Sequence, residues 1–363
     1  MFKKSRIKTV IMFLLLFNRL GATSALADTY NFSAQPVQPV SQLDKEHSYF
    51  DIKVEPEKEQ ELVVKLFNDS EKDIKVKASI SSATTNSNGV VEYSPNDIKL
   101  DDTLPYDLAD LVEMEEQVVI PKKGFYDLKL KVRPPKEIFE GIIAGGITLK
   151  EEKEDQKDPE VNENGLAIKN EYAYVIALIM HSEDTREIEP ELNLKEVYPA
   201  QINARNAIVS RFQNPKPTYI NNVSITSTIT KAGKKEPFMQ EEQENMQIAP
   251  NTTFEYPIIK EGTKLEAGDY LMDVTLYANK KDDGEYEHGK DEEGNPIHYQ
   301  NKWTYSQKFS ITREKARELN KKDVTLKQDY TNLYIIAGLV IIIIALIISL
   351  YFSRRNKNEK KAE

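Results

Sequence analysis

A run of 20 uncharged, mostly aliphatic residues near the C-terminus, Leu333 to Phe352, restricts the folds open to this chain more than any other feature. At about 1.5 Å per residue, a helix of this length spans roughly 30 Å, the hydrocarbon thickness of a membrane. Tyr334 and Tyr351 lie near its two ends, where amphipathic rings favour the lipid headgroups. Because the run is apolar on every side, it indicates a membrane-spanning helix rather than a helix buried in a globular core.

Basic residues follow this run directly. The stretch 353–363 contains five lysines and arginines and two glutamates. Positive charge beside a spanning helix marks its cytoplasmic end. We therefore expect a single-pass type I protein of the cell membrane, with a cytoplasmic basic tail at 353–363 and the preceding domains outside the cell.

The first 27 residues have the three parts of a secretory signal peptide. Basic residues lie between positions 3 and 8, an apolar run of nine residues covers Thr9 to Phe17, and the small residues Ala25 and Ala27 form a cleavage pattern. A retained anchor is disfavoured because this run is much shorter than the roughly 20 residues that a spanning helix needs. The sequence predicts a signal peptide at 1–27 and a mature start near Asp28.

The external stretch 28–332 is acidic and lacks cysteine. The whole chain has a net charge of −10, of which residues 1–27 contribute +5 and residues 353–363 contribute +3, so that residues 28–332 carry −18. Nucleic-acid binding requires clustered lysine and arginine, so a nucleic-acid partner is disfavoured. Absence of disulfides in an exported domain favours a Gram-positive bacterial protein over an animal one.

Alternating apolar residues dominate the first part of this stretch. A period of two is found at residues 50–54, between 62 and 80, and between 118 and 132. Such alternation, interrupted by turn residues, is typical of half-buried antiparallel strands. Glycines within the apolar segment 139–149 indicate a bulge or a close backbone approach. We predict an immunoglobulin-like β-sandwich over 28–185.

Short strands separated by turn residues continue after this domain. Segments 223–229 and 303–311 alternate with almost no helical periodicity, which predicts a second immunoglobulin-like sandwich over 186–312. A polar juxtamembrane stalk, helical or extended, is expected at 313–332, before the transmembrane helix at 333–352. The expected fold class is therefore all-β, with two tandem sandwiches, a stalk and one membrane-spanning helix.

No arrangement of catalytic or metal-binding residues stands out. The four histidines are scattered, and no nucleophile, phosphate-loop or dinucleotide motif is present. We expect no enzymatic activity, no cofactor and no metal site, although a cell-wall glycan hydrolase that uses two external carboxylates stays an alternative. The acidic stretch 280–295 has Lys281 where an EF-hand requires a carboxylate, which leaves either a looser calcium site or a solvated hairpin.

A polar segment between two predicted strands is the candidate binding site. Thr84, Thr85, Asn86 and Asn88 offer donors and acceptors beside the ring of Tyr93, and sugars are bound by polar side chains together with an aromatic face. We predict that these five residues contact a glycan or a protein partner. The alternative is a turn-rich connection whose tight turn begins at Asn88.

Seven motifs, taken in order, resemble the WxL-interacting protein family. The motifs are YFDIKV (49–54), SSATTNSNGVVEY (81–93) and IFEGIIAGGITLKEE (138–152) in the first domain, and PELNLKEV (190–197), NAIVSRFQN (206–214), MQIAPNTTFEYPI (246–258) and LEAGDYLMDV (265–274) in the second. The first group is similar to the family's peptidoglycan-binding domain and the second to its host-binding domain.

This resemblance implies a non-catalytic surface scaffold of a low-GC Gram-positive bacterium. Its expected partners are peptidoglycan and secreted surface proteins that carry a WxL domain, with host matrix proteins as further ligands. The alternative is a host-matrix adhesin that acts mainly through the second domain. The charged insertion 280–295 departs from the family pattern and leaves the host ligand open.

Overall fold

A computed structural model describes residues 31–152, 172–182, 188–326 and 331–359 of the chain, and the side chains of the last range from 335 to 349. The signal peptide predicted at 1–27 lies outside these residues. Two compact units are present. The first contains residues 31–83, 93–97, 106–152 and 172–182, and the second contains 84–92, 98–105 and the described residues from 188 onward.

Strands account for most of both units. Those before residue 190 are β1 (Phe32–Val37), β2 (Phe50–Lys53), β3 (Gln60–Asn68), β4 (Ile74–Ser82), β5 (Thr84–Thr85), β6 (Val91–Glu92), β7 (Val112–Met114), β8 (Gln117–Ile120), β9 (Gly124–Val132), β10 (Ile142–Glu151) and β11 (Ala173–His181), with a short helix α1 (Leu108–Leu111) before β7. Those after residue 190 are β12 (Asn193–Ile202), β13 (Arg205–Asn214), β14 (Ile220–Lys231), β15 (Pro237–Ile248), β16 (Thr252–Ile259), β17 (Gly268–Lys280), β18 (Tyr286–Lys290) and β19 (Pro296–Ile311).

Two sheets form the first unit. One has the strand order β1-β3-β9-β7 and the other the order β2-β11-β10-β4-β8. All pairs are antiparallel except β2 with β11, which is parallel. Leu62 and Val64 of β3 and Leu128 of β9 are buried against Val76 of β4 and Ile147 of β10, so that one hydrophobic core joins both sheets. The predicted alternation in these strands is confirmed, and the unit is a β-sandwich.

The glycines of β10 allow a close backbone approach. A Cβ atom on Gly145 would overlap the carbonyl oxygen of Ser81 in the neighbouring strand, and one on Gly146 would lie 2.6 Å from the Cβ of Tyr93. The register of β10 against β11 runs without a shift. Of the two predicted explanations for these glycines, the close approach is therefore the correct one.

The second unit is also a sandwich. Its larger sheets have the orders β12-β13-β16 and β15-β14-β17-β19-β18, and β5 pairs with β6 in a small separate hairpin. Phe212 of β13 and Phe254 of β16 lie in one core with Ile225 of β14 and Leu276 of β17. The prediction of two tandem β-sandwiches is confirmed.

Part of the segment predicted as a stalk packs on the second sandwich. Helix α2 (Arg313–Lys322) begins after Thr312, whose side chain accepts a hydrogen bond from the backbone N–H of Lys315. Ala316 and Leu319 are buried in the core of the second unit. After the helix, the buried carboxylate of Asp323 accepts the backbone N–H of Asn206 at 2.7 Å.

The third helix, α3, covers Thr331–Glu359. Within the residues whose structure is described, no helix meets the length and hydropathy needed to cross a membrane. The membrane-spanning helix at 333–352 therefore stays a prediction.

Candidate binding site

The polar segment singled out in the sequence is largely occupied by contacts within the chain. Thr84 and Thr85 are buried, at 3% and 1% exposure. The Oγ1 atom of Thr85 accepts a 2.9 Å hydrogen bond from the backbone N–H of Ala249, which belongs to the same unit. Neither hydroxyl-bearing side chain is accessible to a ligand in this arrangement.

The remaining predicted residues form a turn and a packing contact. The Oδ1 atom of Asn86 accepts the backbone N–H groups of Asn88 and Val90, and its amide donates to Glu92 at 2.6 Å. Asn88 is exposed at the tip of this turn. Tyr93 lies over Gly146 in the first unit. These contacts match the alternative interpretation, a turn-rich connection.

A second polar segment, 98–105, makes similar contacts inside the second unit. The carboxylate of Asp101 accepts hydrogen bonds from the Nε2 of Gln213 at 3.0 Å and from the hydroxyl of Thr253. Burial raises the pKa of Asp101, but these bonds and those from Thr103 outweigh burial, so that the pKa is lowered from its ordinary value. The two segments therefore contribute polar groups to the structure of the second unit.

An open sheet face in the first unit is the better candidate for a ligand surface. Leu62, Val64 and Leu66 of β3 point into the core. Because side chains alternate along a strand, Val63, Lys65 and Phe67 lie on the opposite side of the sheet. The sequence therefore places one apolar, one basic and one aromatic residue in a line on the outer face of β3.

Strand pairing extends this line into three rows. Residues paired across β1, β3 and β9 share a face of the sheet. The rows are Ser33–Phe67–Phe125, Gln35–Lys65–Asp127 and Val37–Val63–Lys129. We call these nine residues the open face. All nine are exposed or half-buried, and Phe125 is 58% exposed.

Charged groups border the aromatic row of the open face. The Nζ atom of Lys65 lies 5.4 Å from the centroid of the Phe125 ring and 3.9 Å from Oδ1 of Asp127. Lys129 pairs with Glu61 at 3.1 Å. Such exposed pairs contribute little to stability. Only the core residues Leu128, Leu130 and Val132 of β9 were predicted from the alternation; the odd-numbered positions from Phe125 carry the signal of the outer face.

A groove between β12 and α2 is a second concave feature, with a volume of about 550 Å³. Tyr198 lies in its wall and donates a hydrogen bond to Glu255, and Arg211 lies over the tyrosine ring. Burial, together with this bond, raises the pKa of Tyr198 to about 12. Its acidic and basic residues pair with one another, as Glu318 does with Lys322 at 2.8 Å. The groove thus offers little unpaired charge to a ligand.

The charged insertion 280–295 belongs to the hairpin of β18 and β19. The ring of His288 stacks on Tyr277 at 4.4 Å, and its Nε2 atom lies 3.4 Å from Glu242. In the turn of this hairpin, Asp291 accepts backbone N–H groups of Asn295 and Glu293, and hydrogen bonds from Asn295 contribute most to lowering its pKa. Across the described ranges, no three acidic, histidine or cysteine residues are grouped as metal ligands.

Two tandem sandwiches place this chain in the all-β class. The chain belongs to the WxL Interacting Protein family. A model of that family's peptidoglycan binding domain matches residues 32–151, and a model of its host binding domain matches residues 163–321. The resemblance seen in the sequence is confirmed, including the order of the domains. The matches support a cell-surface binding protein.

Solved structures give only a general likeness of fold. The chain is similar to the class 5 fimbriae chaperone CfaA at 13% identity and a TM-score of 0.28, covering 76% of this chain and 98% of that chain. It is similar to the E. coli chaperone DraB at 15% identity and a TM-score of 0.26, covering 77% and 98%. A search of curated proteins found no match. Scores this low carry no argument about function.

Proposed function

We propose that this chain is a membrane-tethered, non-catalytic scaffold at the cell surface that binds peptidoglycan and secreted WxL-domain proteins. The observation that carries the proposal is the match of the two family domains, in order, to two consecutive stretches of the chain. The open face lies within the stretch that matches the peptidoglycan binding domain. Binding to the wall is therefore assigned to the first unit.

The tether in this proposal is the uncharged run Leu333–Phe352, with the N-terminal signal peptide directing export. Apolar side chains of α3 support it, since Ile336 and Ile341 are 58% and 66% exposed. Exposed aliphatic side chains over many turns are stable only in an apolar environment. The basic residues after Phe352 favour a cytoplasmic C-terminus.

Tethering has a mechanistic consequence for weak ligands. One anchored chain can contact both the wall and a WxL-domain protein. When one contact has formed, the effective concentration of the other ligand rises, so that the two contacts strengthen each other. Neither contact then needs high affinity by itself. In this mechanism the chain holds its protein partner close to the wall without any chemical turnover.

The proposal is tested with the purified full-length chain in detergent micelles. We expect it to sediment with insoluble peptidoglycan and to retain a purified WxL-domain protein in a pull-down. An unrelated acidic β-sandwich protein of similar net charge is the control for nonspecific retention. Failure to retain either ligand above that control would contradict the proposal, and release of soluble glycan fragments from the wall would favour the hydrolase alternative.

A host-matrix adhesin is the second candidate. The match of residues 163–321 to the family's host binding domain favours it. The two candidates differ in which ligand is needed at the surface. An adhesin predicts that the full-length chain binds immobilised matrix proteins with or without peptidoglycan, whereas a scaffold predicts that wall binding persists when every matrix protein is absent.

A further inference from the structure

The geometry points to the open face of β1, β3 and β9 as the surface that binds the glycan strands of peptidoglycan, with Phe125 and Phe67 as the platform for sugar rings. This inference rests on the proposed function, because it names the site of the wall binding proposed above. It differs from the sequence prediction, which placed that site in the segment from Thr84 to Tyr93.

The first argument is the position of the two phenylalanines. Phe125 is the exposed phenylalanine among the described residues, and it lies directly opposite the half-buried Phe67 in the β3–β9 ladder. Directly paired side chains on one face have Cβ atoms about 4.5–5.5 Å apart, so Phe67 and Phe125 lie side by side on the open face. Large apolar side chains that are exposed together on a soluble domain mark interaction sites.

The second argument is the polar surround of the two phenylalanines. Ser33 completes the aromatic row on β1, and the next row supplies Gln35, Lys65 and Asp127. With strands about 4.8 Å apart and alternate residues about 6.7 Å apart, the open face measures roughly 10 Å by 13 Å. A sugar ring has an apolar side for the phenylalanines and hydroxyl and amide groups at its edge for these polar residues.

The third argument is charge. Lys65 and Lys129 outnumber Asp127 among the nine residues of the open face, and Glu61 beside the face pairs with Lys129, so this surface is close to neutral on a stretch that carries −18. Peptidoglycan carries carboxylates on its peptide stems, and these would be repelled by most of this acidic surface. The open face is therefore a favourable location for an anionic wall polymer, and its binding should weaken as salt screens the lysines.

The test compares variants of the full-length chain in micelles for sedimentation with purified peptidoglycan. Phe125→Ala and Phe67→Ala are expected to weaken binding roughly three- to tenfold each, the range of one aromatic contact. Phe125→Trp keeps an aromatic ring and should bind like the wild type. Ile138→Ala is the matched control, because Ile138 is 57% exposed in the same unit but lies off the open face. Thermal unfolding of each variant checks that the fold is unchanged.

The outcomes separate this inference from the proposed function. Weaker binding by both phenylalanine variants and unchanged binding by Ile138→Ala support the open face as the site. Equal binding by all variants overturns the site while the proposed wall binding stands. If the phenylalanine variants no longer capture the WxL-domain protein but still bind peptidoglycan, the open face binds a protein ligand and the inference is overturned. If the wild type does not bind peptidoglycan, the proposed function itself fails.

Discussion

At the scale of single residues, polar groups of the segments 84–92 and 98–105 form hydrogen bonds within the second unit. Thr85 accepts from Ala249, 164 positions away, and Asp101 accepts from Thr253, 152 positions away. No local pattern encodes partners at such distances. Sequence reasoning therefore recognised 81–93 as an unusual polar segment but could not tell a ligand contact from an internal hydrogen bond.

Replacing Thr85 by valine keeps the size of the side chain and removes its oxygen. The backbone N–H of Ala249, a fully buried residue, then loses its acceptor. An unsatisfied buried donor costs about 1–3 kcal/mol of the free energy of unfolding. Urea denaturation of Thr85→Val should show this loss, whereas Asn88→Ala, at the exposed tip of the same turn, should remain close to the wild type. Equal stability of all three proteins would mean that the Thr85 bond is not formed.

The lowered pKa of Asp101 predicts that the free energy of unfolding depends on pH. Its pKa is lowered in the folded chain, so its carboxylate stabilises the fold above the unfolded value of about 3.9, and this stabilisation is lost as the pH falls through the folded pKa. At pH 7, Asp101→Asn should be less stable by about 1–2 kcal/mol.

The check for Asp101 is denaturation of both proteins at neutral pH and near pH 3. The difference in unfolding free energy between wild type and Asp101→Asn should shrink at the acidic pH, because the carboxyl group of the unfolded wild-type chain takes up a proton below its pKa of about 3.9. A difference that does not change with pH would assign the effect to shape rather than to charge.

At the scale of elements, strands followed from the sequence more readily than the helix α2 did. Alternation with a period of two defined the core face of β3 and β9, because the even-numbered residues of each strand are buried or half-buried. Helix α2 has only two buried apolar side chains, Ala316 and Leu319, within a strongly polar segment. Two apolar positions give too weak a helical pattern to predict that residues 313–322 pack on the second sandwich.

Proline marks the longer edge strands of the four larger sheets. Pro36 in β1, Pro199 in β12, Pro237 in β15 and Pro257 in β16 each lie in a strand that ends its sheet in the described part of the chain. The other edges are short strands of three to five residues. Proline removes a backbone donor, and short edges offer few groups for pairing, so both features limit association through strand edges.

The packing of α2 is tested by Leu319→Ala. Leu319 is 3% exposed, and truncating a buried leucine costs about 2–5 kcal/mol through lost burial and the cavity left behind. Arg317→Ala, on the exposed side of the same helix, is the control. Chemical denaturation should separate the two variants clearly. Two equally stable variants would indicate that α2 contributes no packing to the second sandwich.

At the scale of the whole molecule, the sequence predicted two sandwiches and the family correctly, since both depend on patterns spread over many residues. The grouping of 84–92 and 98–105 with the second unit was not foreseen, because the boundary was placed at a single point near 185. The open face escaped notice for a different reason. Its three rows exist only once β1, β3 and β9 are paired in register, and register is a property of the folded sheet.

The proposed function makes this chain a binding protein of the cell wall. Its most direct test is the amount of purified full-length chain that sediments with peptidoglycan stripped of other wall polymers, measured as a function of protein concentration. We expect saturable binding that weakens with added salt. Retention that never exceeds that of an unrelated acidic β-sandwich protein, at any concentration, would contradict it.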